Sequence, residues 1–436
     1  MREAVHNPLQ IRWAKFSTGE RMPFLVTRVD GLPLEAVIDW IIAQRRTYKQ
    51  ARTLEADLEN LQYLYLWADA ENIDLSARVV SGRFFTDEEL RSLLRFSGWR
   101  LWRALEEIAE NRFLTGRCPL PSRPTRVDVL RRPPDYVGLS VKRNRLQTIH
   151  AFLEFNSGGY EKRMAVHAGH DTRAAYASQR LSCLKRIASE YKEIPVGTDV
   201  PRKGISEAHQ LQLRAVIEPD HPDNPWEPAV RVRNRLIVLM LLDLGIRRGE
   251  LLVIRTQDLT FTASRCAVAV HRRPDDPLDP RTTQPATKTF PRQLSAGGRL
   301  SGLLHEYITE IRRKLPGARR HPFLLVNSRA GGPLSVSSVN KLFSALRKRV
   351  TGLPAELTPH AMRHTWNDRF SEQAERKGLA PEREEKLRKH QMGWSPRSQM
   401  AGRYTRRYVE REGNKLSVEM QEGLGALLSV LTKEEE

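Results

Sequence analysis

Cysteine is scarce in this 436-residue chain. There are three, Cys118, Cys183 and Cys266, far apart in sequence. They make neither a disulfide framework nor a Cys-x-x-Cys zinc pattern, which excludes a disulfide scaffold and a cysteine zinc module. Long apolar runs are also missing. The longest near the middle, Leu236–Leu242, has seven residues, whereas a membrane span needs about 20. The stretch Met1-Arg2-Glu3-Ala4-Val5-His6 has no signal-peptide character, and no lipidation motif is visible. No internal repeat or long low-complexity tract occurs. A reduced, cytoplasmic protein is expected.

Acidic residues are outnumbered. There are 52 Asp+Glu against 72 Lys+Arg, a formal charge of +20. A surplus that large points to a polyanionic partner, with nucleic acid ahead of anionic membrane. The bland alternative is a basic protein with no bound anion. Lysine is itself sparse: 16 of the 72 basic residues, leaving 56 arginines. The composition is 40% hydrophobic and 28% charged, which fits a folded protein and not a disordered one. The length suits two or three domains.

Four segments are expected: an N-terminal extension over 1–30, a helical region over 31–195, a further domain over 204–412, and a C-terminal helix with an acidic tail over 413–436. Residues 33–76 read as helix, because Leu54, Leu58, Leu61 and Tyr65 recur on one helical face. Thr86 and Glu89 form a capping-box signature opening a helix through Leu94 and Trp99. Prolines break the chain between Cys118 and Tyr136. A basic helix carrying Leu146, Ile149 and Leu153 follows, interrupted at Gly158-Gly159. Another covers 172–194. No strand is expected in this half. Beyond a linker at Pro195–Gly204, helices start at Ser206 and run over 229–243. Cys266–His271 and Thr287–Leu294 read as a hairpin around a proline-rich loop, 274–285. Phe323–Val326 reads as a further strand.

Three segments carry the chemistry. The first is Leu244-Gly245-Ile246-Arg247-Arg248-Gly249-Glu250-Leu251-Leu252. The second is Leu357-Thr358-Pro359-His360-Ala361-Met362-Arg363-His364-Thr365. The third is Gln391-Met392-Gly393-Trp394, with Tyr404 ten residues after Trp394. Singly each is ambiguous. His360 and His364 have metal-ligand spacing, but the Glu of a His-Glu-x-x-His zinc site is missing, so no metal is expected. No cofactor is expected either.

In this order the three segments resemble the tyrosine recombinase (phage integrase) family, over roughly residues 205–412. The resemblance implies a mainly α fold with a small antiparallel β-sheet. A helical core-binding domain and an α+β catalytic domain would form a C-shaped clamp on DNA. It implies a nucleoid-associated, site-specific recombinase that cleaves and rejoins DNA through a 3′-phosphotyrosyl intermediate. Integration, excision or transposition of a mobile element is the setting. Tyr404 would be the nucleophile, Arg247 and Arg363 the phosphate clamp, and His360 the proton acceptor. Trp394 stands where many members have a second His. Lys288, alone between Lys203 and Lys314, would be the general acid on the second hairpin strand. Glu250 would support the site.

The physical chemistry agrees with those roles. A tyrosyl ester splits one hard step into two reversible ones. Arginine is always charged and bidentate to phosphate, and for the same reason it cannot serve as the acid. An indole N–H donates a hydrogen bond but exchanges no proton at neutral pH.

Alternatives stay open at several residues. Glu250 is equally a helix-start carboxylate, and His364 reads as packing. Tyr408 is a second candidate nucleophile. The loop 274–285 is a candidate DNA- or partner-contacting insertion. Duplex DNA contacts are expected from Lys142, Arg143, Arg145, Arg173, Arg180, Lys185 and Arg186. The apolar stripe from Met420 to Leu431 would dock a neighbouring subunit in a tetramer, with accessory proteins or another recombinase of the same element as further partners. Two rival functions remain: a type IB-like topoisomerase, and a catalytically inactive DNA-binding regulator.

Overall fold

The computed structural model describes residues 7–47, 49–113, 135–195, 204–285, 287–402, 413–414 and 416–422. The chain divides into two compact units. One holds Met1–Phe16 and Arg21–Thr198, the other Ser17–Glu20 and Asp199–Glu436.

The first unit opens with a hairpin, β1 (Leu9–Lys15) and β2 (Arg21–Thr27), paired antiparallel from Leu9–Thr27 to Lys15–Arg21. This corrects the strand-free expectation. Leu9, Met22 and Leu25 enter the same core as the helices, so these strands are part of the unit rather than an appendage. The helices are α1 (Glu35–Arg46), α2 (Ala51–Ala70), α3 (Leu75–Ser81), α4 (Asp87–Phe96), α5 (Leu101–Phe113), α6 (Leu139–Met164) and α7 (His170–Glu193).

The periodic Leu54, Leu58 and Leu61 of α2 are fully buried. Residues 33–76 are not one helix, because Gln50 is extended (φ −73°, ψ 145°) and restarts the chain as the N-cap of α2. The Thr86–Glu89 capping box forms in full and starts α4, which ends at Phe96, short of Trp99. Gly158-Gly159 does not interrupt α6. Here the absent side chain makes room for a neighbour, since a Cβ on Gly158 would come within 3.1 Å of Arg180 on α7. The proline-rich stretch falls mostly on 114–134, outside the described residues.

The second unit is built around α9 (Pro228–Leu244). Leu236 to Leu242 are all buried, as expected of a helix apolar on every side. Around it lie α8 (Glu207–Val216), α10 (Arg248–Val253), α11 (Gly298–Glu306), α12 (Val336–Arg349), α13 (Pro359–Arg376) and α14 (Pro381–Met392). Ser206 caps α8 by accepting from the His209 amide at 3.3 Å.

Three strands, β3 (Leu259–Phe261), β4 (Cys266–Val270) and β5 (Arg292–Ala296), form an antiparallel sheet in that order. Cys266 pairs with Ala296, and Val270 with Arg292. The returning strand thus begins at Arg292, not at Thr287. Phe323–Val326 is no strand; it makes only two single bridges, Arg255–Phe323 and Val326–Pro333.

The loop 274–285 is anchored to the body of this unit. Asp276 pairs with Arg255, and Arg281 donates to the Leu252 and Leu334 carbonyls at 3.2 and 2.8 Å. Among the described residues no helix is long and apolar enough to cross a membrane, and no group of three or more His, Cys, Asp or Glu side chains is placed to hold a metal ion.

Candidate active site around Glu250

The site starts at the end of α9. Gly245 takes the left-handed conformation (φ +61°), and a Cβ there would lie 2.7 Å from the Trp366 ring. Only glycine fits both demands. The turn delivers Arg247 to the N-cap of α10. The Arg247 amide donates to Glu250 Oε2 at 3.0 Å, and its Nη1 donates to Oε1 at 3.3 Å. The Arg247 side chain remains 32% exposed, so its charge is accessible to a ligand.

Glu250 is wholly buried and gathers groups from three segments. Arg292 Nη2 on β5 lies 2.8 Å from it, and Thr289 Oγ1 donates to it at 2.6 Å. Arg363 Nη1 on α13 lies 4.0 Å away. Burial by itself pushes the Glu250 carboxyl pKa up. The Arg292 and Arg363 charges, with hydrogen bonds from Arg292 and Thr289, outweigh burial and hold it below the usual carboxylate range. The group is therefore a carboxylate at neutral pH. Its part in holding the arginines goes well beyond helix-start charge complementarity.

Arg363 is 2% exposed. It donates to the Gly245 carbonyl at 2.7 Å and to the Met392 carbonyl at 3.1 Å. Its guanidinium carbon lies 5.4 Å from the centroid of the Trp394 ring. One side chain thus ties the turn before Arg247 to the segment that ends α14. Trp394 is 8% exposed and packs with Met392, Ala401, Trp366 and Met400.

Thr358 caps α13 and Pro359 opens it, placing His360 in the first turn with its side chain exposed. His364, one turn on, is buried. The two rings meet edge to face, 4.4 Å apart at 82°. Tyr404 and Tyr408 lie outside the described residues.

Lys288 is exposed, four positions before β5 rather than on it. The segment alternates, with Thr287 and Thr289 buried and Lys288 and Phe290 exposed. Phe290 donates its amide to the Gly393 carbonyl at 2.9 Å. The lysine-bearing segment is thereby fastened to the residue before Trp394.

Two residues of this arrangement escaped the sequence reading, Arg292 and Thr289. Arg292 is one arginine among 56, and nothing nearby marks it. The available signal was strand alternation, which puts Arg292 on the same buried face as Leu294 and Ala296.

The DNA-contact candidates separate in the structure. Arg173 and Lys185 are exposed. Lys142 and Arg143 are half-buried. Burial pushes the Lys142 ammonium pKa down, with Glu190 opposing. Arg145 must be withdrawn. It is buried, donates to the Ser97 and Trp99 carbonyls at 2.7 and 3.0 Å, and stacks on Tyr63. Arg180 and Arg186 are likewise held internally, by Glu161 and Ser157 and by Asp87 and the Phe85 carbonyl.

A comparison with curated proteins finds no match. Among solved structures, the chain is similar to XerH site-specific recombinase bound to palindromic difH substrate in a post-cleavage complex. That match has 13% identity, covers 82% of this chain and 94% of the other, and has a TM-score of 0.42. The Tn1549 transposon integrase (residues 82–397) with circular-intermediate DNA matches at 18% identity, covering 63% and 94%, with a TM-score of 0.37. A lambda integrase dimer on a COC′ core site matches at 15%, covering 93% and 96%, with a TM-score of 0.33. Residues 220–410 match the model of the phage integrase family. That stretch holds both arginine segments, Glu250, Lys288, Trp394 and Tyr404, so the part of the chain that carries the site is similar to the phage integrase family.

Proposed function

We propose that this protein is the site-specific recombinase of a mobile element and that Tyr404 is its nucleophile. The observation that carries the assignment of roles is Glu250, which joins Arg247, the Thr289–Arg292 segment and Arg363 in one buried network.

In the first step the Tyr404 hydroxyl oxygen attacks the scissile phosphorus. The bond from phosphorus to the 5′ oxygen breaks, and a 3′-phosphotyrosyl ester forms. The tyrosyl proton goes to His360, whose imidazole accepts near neutral pH. Lys288 gives a proton to the departing 5′ oxygen. Arg247 and Arg363 hold the non-bridging oxygens, where fixed charge in a partly dry site stabilises the transition state by several kcal/mol. Trp394 donates its indole N–H to the phosphate. Attack by a 5′-hydroxyl of a second strand reverses the sequence and exchanges the strands.

Exposed basic residues of the helical unit, Arg173 and Lys185 among them, would hold duplex phosphates. Leu416, Val418 and Met420 are exposed apolar side chains on the C-terminal helical segment. We assign them, with the stripe that continues to Leu431, to docking on a second copy in a DNA-bound tetramer.

The test uses a nicked duplex carrying the element's end, in EDTA, with wild type and Tyr404→Phe. A covalent adduct stable to SDS should form with wild type and vanish in the variant. An adduct that persists moves the role to Tyr408 or another tyrosine. No adduct from protein that binds the duplex tightly would leave the DNA-binding regulator.

A further inference from the structure

We infer that Arg292 is a positioning residue for the acid step, holding the Lys288-bearing segment in register with the phosphate-binding arginines and with the segment before Trp394. The inference rests on the recombinase reading above and concerns how its acid is aimed.

Lys288 has no ion pair among the described residues and a side chain exposed to solvent. A flexible lysine on a segment outside the sheet delivers a proton poorly, because general-acid catalysis needs hydrogen-bond reach to the leaving oxygen. The backbone on its C-terminal side is nevertheless held at several points, and Arg292 is common to most of them. Arg292 Nη2 meets Glu250 Oε2 at 2.8 Å, and Nη1 donates to Thr289 Oγ1 at 3.2 Å. Its Nε donates to the Gln391 carbonyl at 2.6 Å. Thr289 Oγ1 in turn donates a hydrogen bond to Glu250 Oε1 at 2.6 Å.

Thr289 is covalently next to Lys288. Fixing its buried side chain inward leaves the neighbouring lysine facing solvent. Gly393 closes the arrangement. A Cβ there would lie 2.7 Å from Arg292 Nη1 and 2.8 Å from the Phe290 carbonyl oxygen, so the two strands of chain can approach only because that side chain is absent. Lysine at 292 could not reproduce this, since it lacks the planar fork that serves three partners at once.

The experiment measures single-turnover cleavage on two duplexes, one with an ordinary scissile phosphodiester and one with sulfur in place of the bridging 5′ oxygen. A thiolate leaves without needing a proton, so the sulfur duplex bypasses the acid. Lys288→Ala is the reference. Arg292→Gln and the milder Thr289→Val should each slow cleavage of the ordinary duplex, Arg292→Gln by about 10²-fold, the lower end of a lost general acid. Both should recover to near the wild-type rate on the sulfur duplex, as Lys288→Ala does. Arg292→Lys should behave as Arg292→Gln.

Equal losses on both duplexes would make Arg292 a general structural residue and overturn the inference, as would wild-type rates on the ordinary duplex. Thr289→Val keeps the test open if Arg292→Gln does not fold. A wild type that forms no adduct on either duplex sinks the recombinase reading, and this inference with it.

Discussion

At the scale of single residues, burial separates arginines that look alike in sequence. Glu250→Gln leaves the buried Arg292 and Arg363 charges without their carboxylate. Losing one partner of a buried pair costs about 3–5 kcal/mol, so a clear drop in urea midpoint is expected. The pH dependence has a definite sign. The folded Glu250 pKa is depressed, so its stabilisation is complete above the unfolded value and is lost as pH falls through the folded one. The gap between wild type and Glu250→Gln should therefore hold at neutral pH and close in acid, below the usual carboxylate range. Arg145 and Lys185 make a second contrast. Arg145→Met should destabilise by about 1–3 kcal/mol, from two carbonyls left unpaired, with little effect on the salt dependence of DNA binding. Lys185→Ala should leave stability alone and lower the log–log salt slope by about one unit if it touches a phosphate. Sequence placed Arg145 on a basic helix face. It did not tell that this position turns toward Tyr63.

At the scale of elements, local signals were legible where both the cause and the partner lie within a few residues. The Thr86–Glu89 box and the helix start at Ser206 are of this kind, and both form as read. Gly158 failed as a signal because its cause is a neighbouring helix, α7. Gly159 sits mid-helix with negative φ, and a Cβ there would meet only Arg163 Nη1, at 3.7 Å. Gly159→Ala should therefore raise stability by about 0.5–1 kcal/mol, read as a higher melting temperature. The hairpin β1–β2 was missed for a related reason: its short strands are stabilised by the helical core they cover.

At the scale of the whole molecule, each unit has its own apolar core, and the chain carries a formal charge of +20. DNA affinity should fall steeply with added salt, because each neutralised phosphate releases counterions. Assembly is tested by removing the C-terminal segment. A chain ending at Gly413 should bind a single site as before but fail to form the larger DNA-bound species on size exclusion. An unchanged assembly would mean that the tail packs within its own chain.

The sequence by itself determined the family resemblance, the candidate residues Arg247, Arg363, His360 and Lys288, and where several helices begin, since these depend on residue type and order along the chain. Which arginines are exposed, and that Glu250, Thr289 and Arg292 form one network with the Gly393 segment, only the tertiary structure decided. Those contacts join positions 39 to 99 apart in the chain. A guanidinium on a solvated helix face and one closing a buried network are the same letter in the sequence. What distinguishes them is the desolvation and the hydrogen-bond partners that folding supplies.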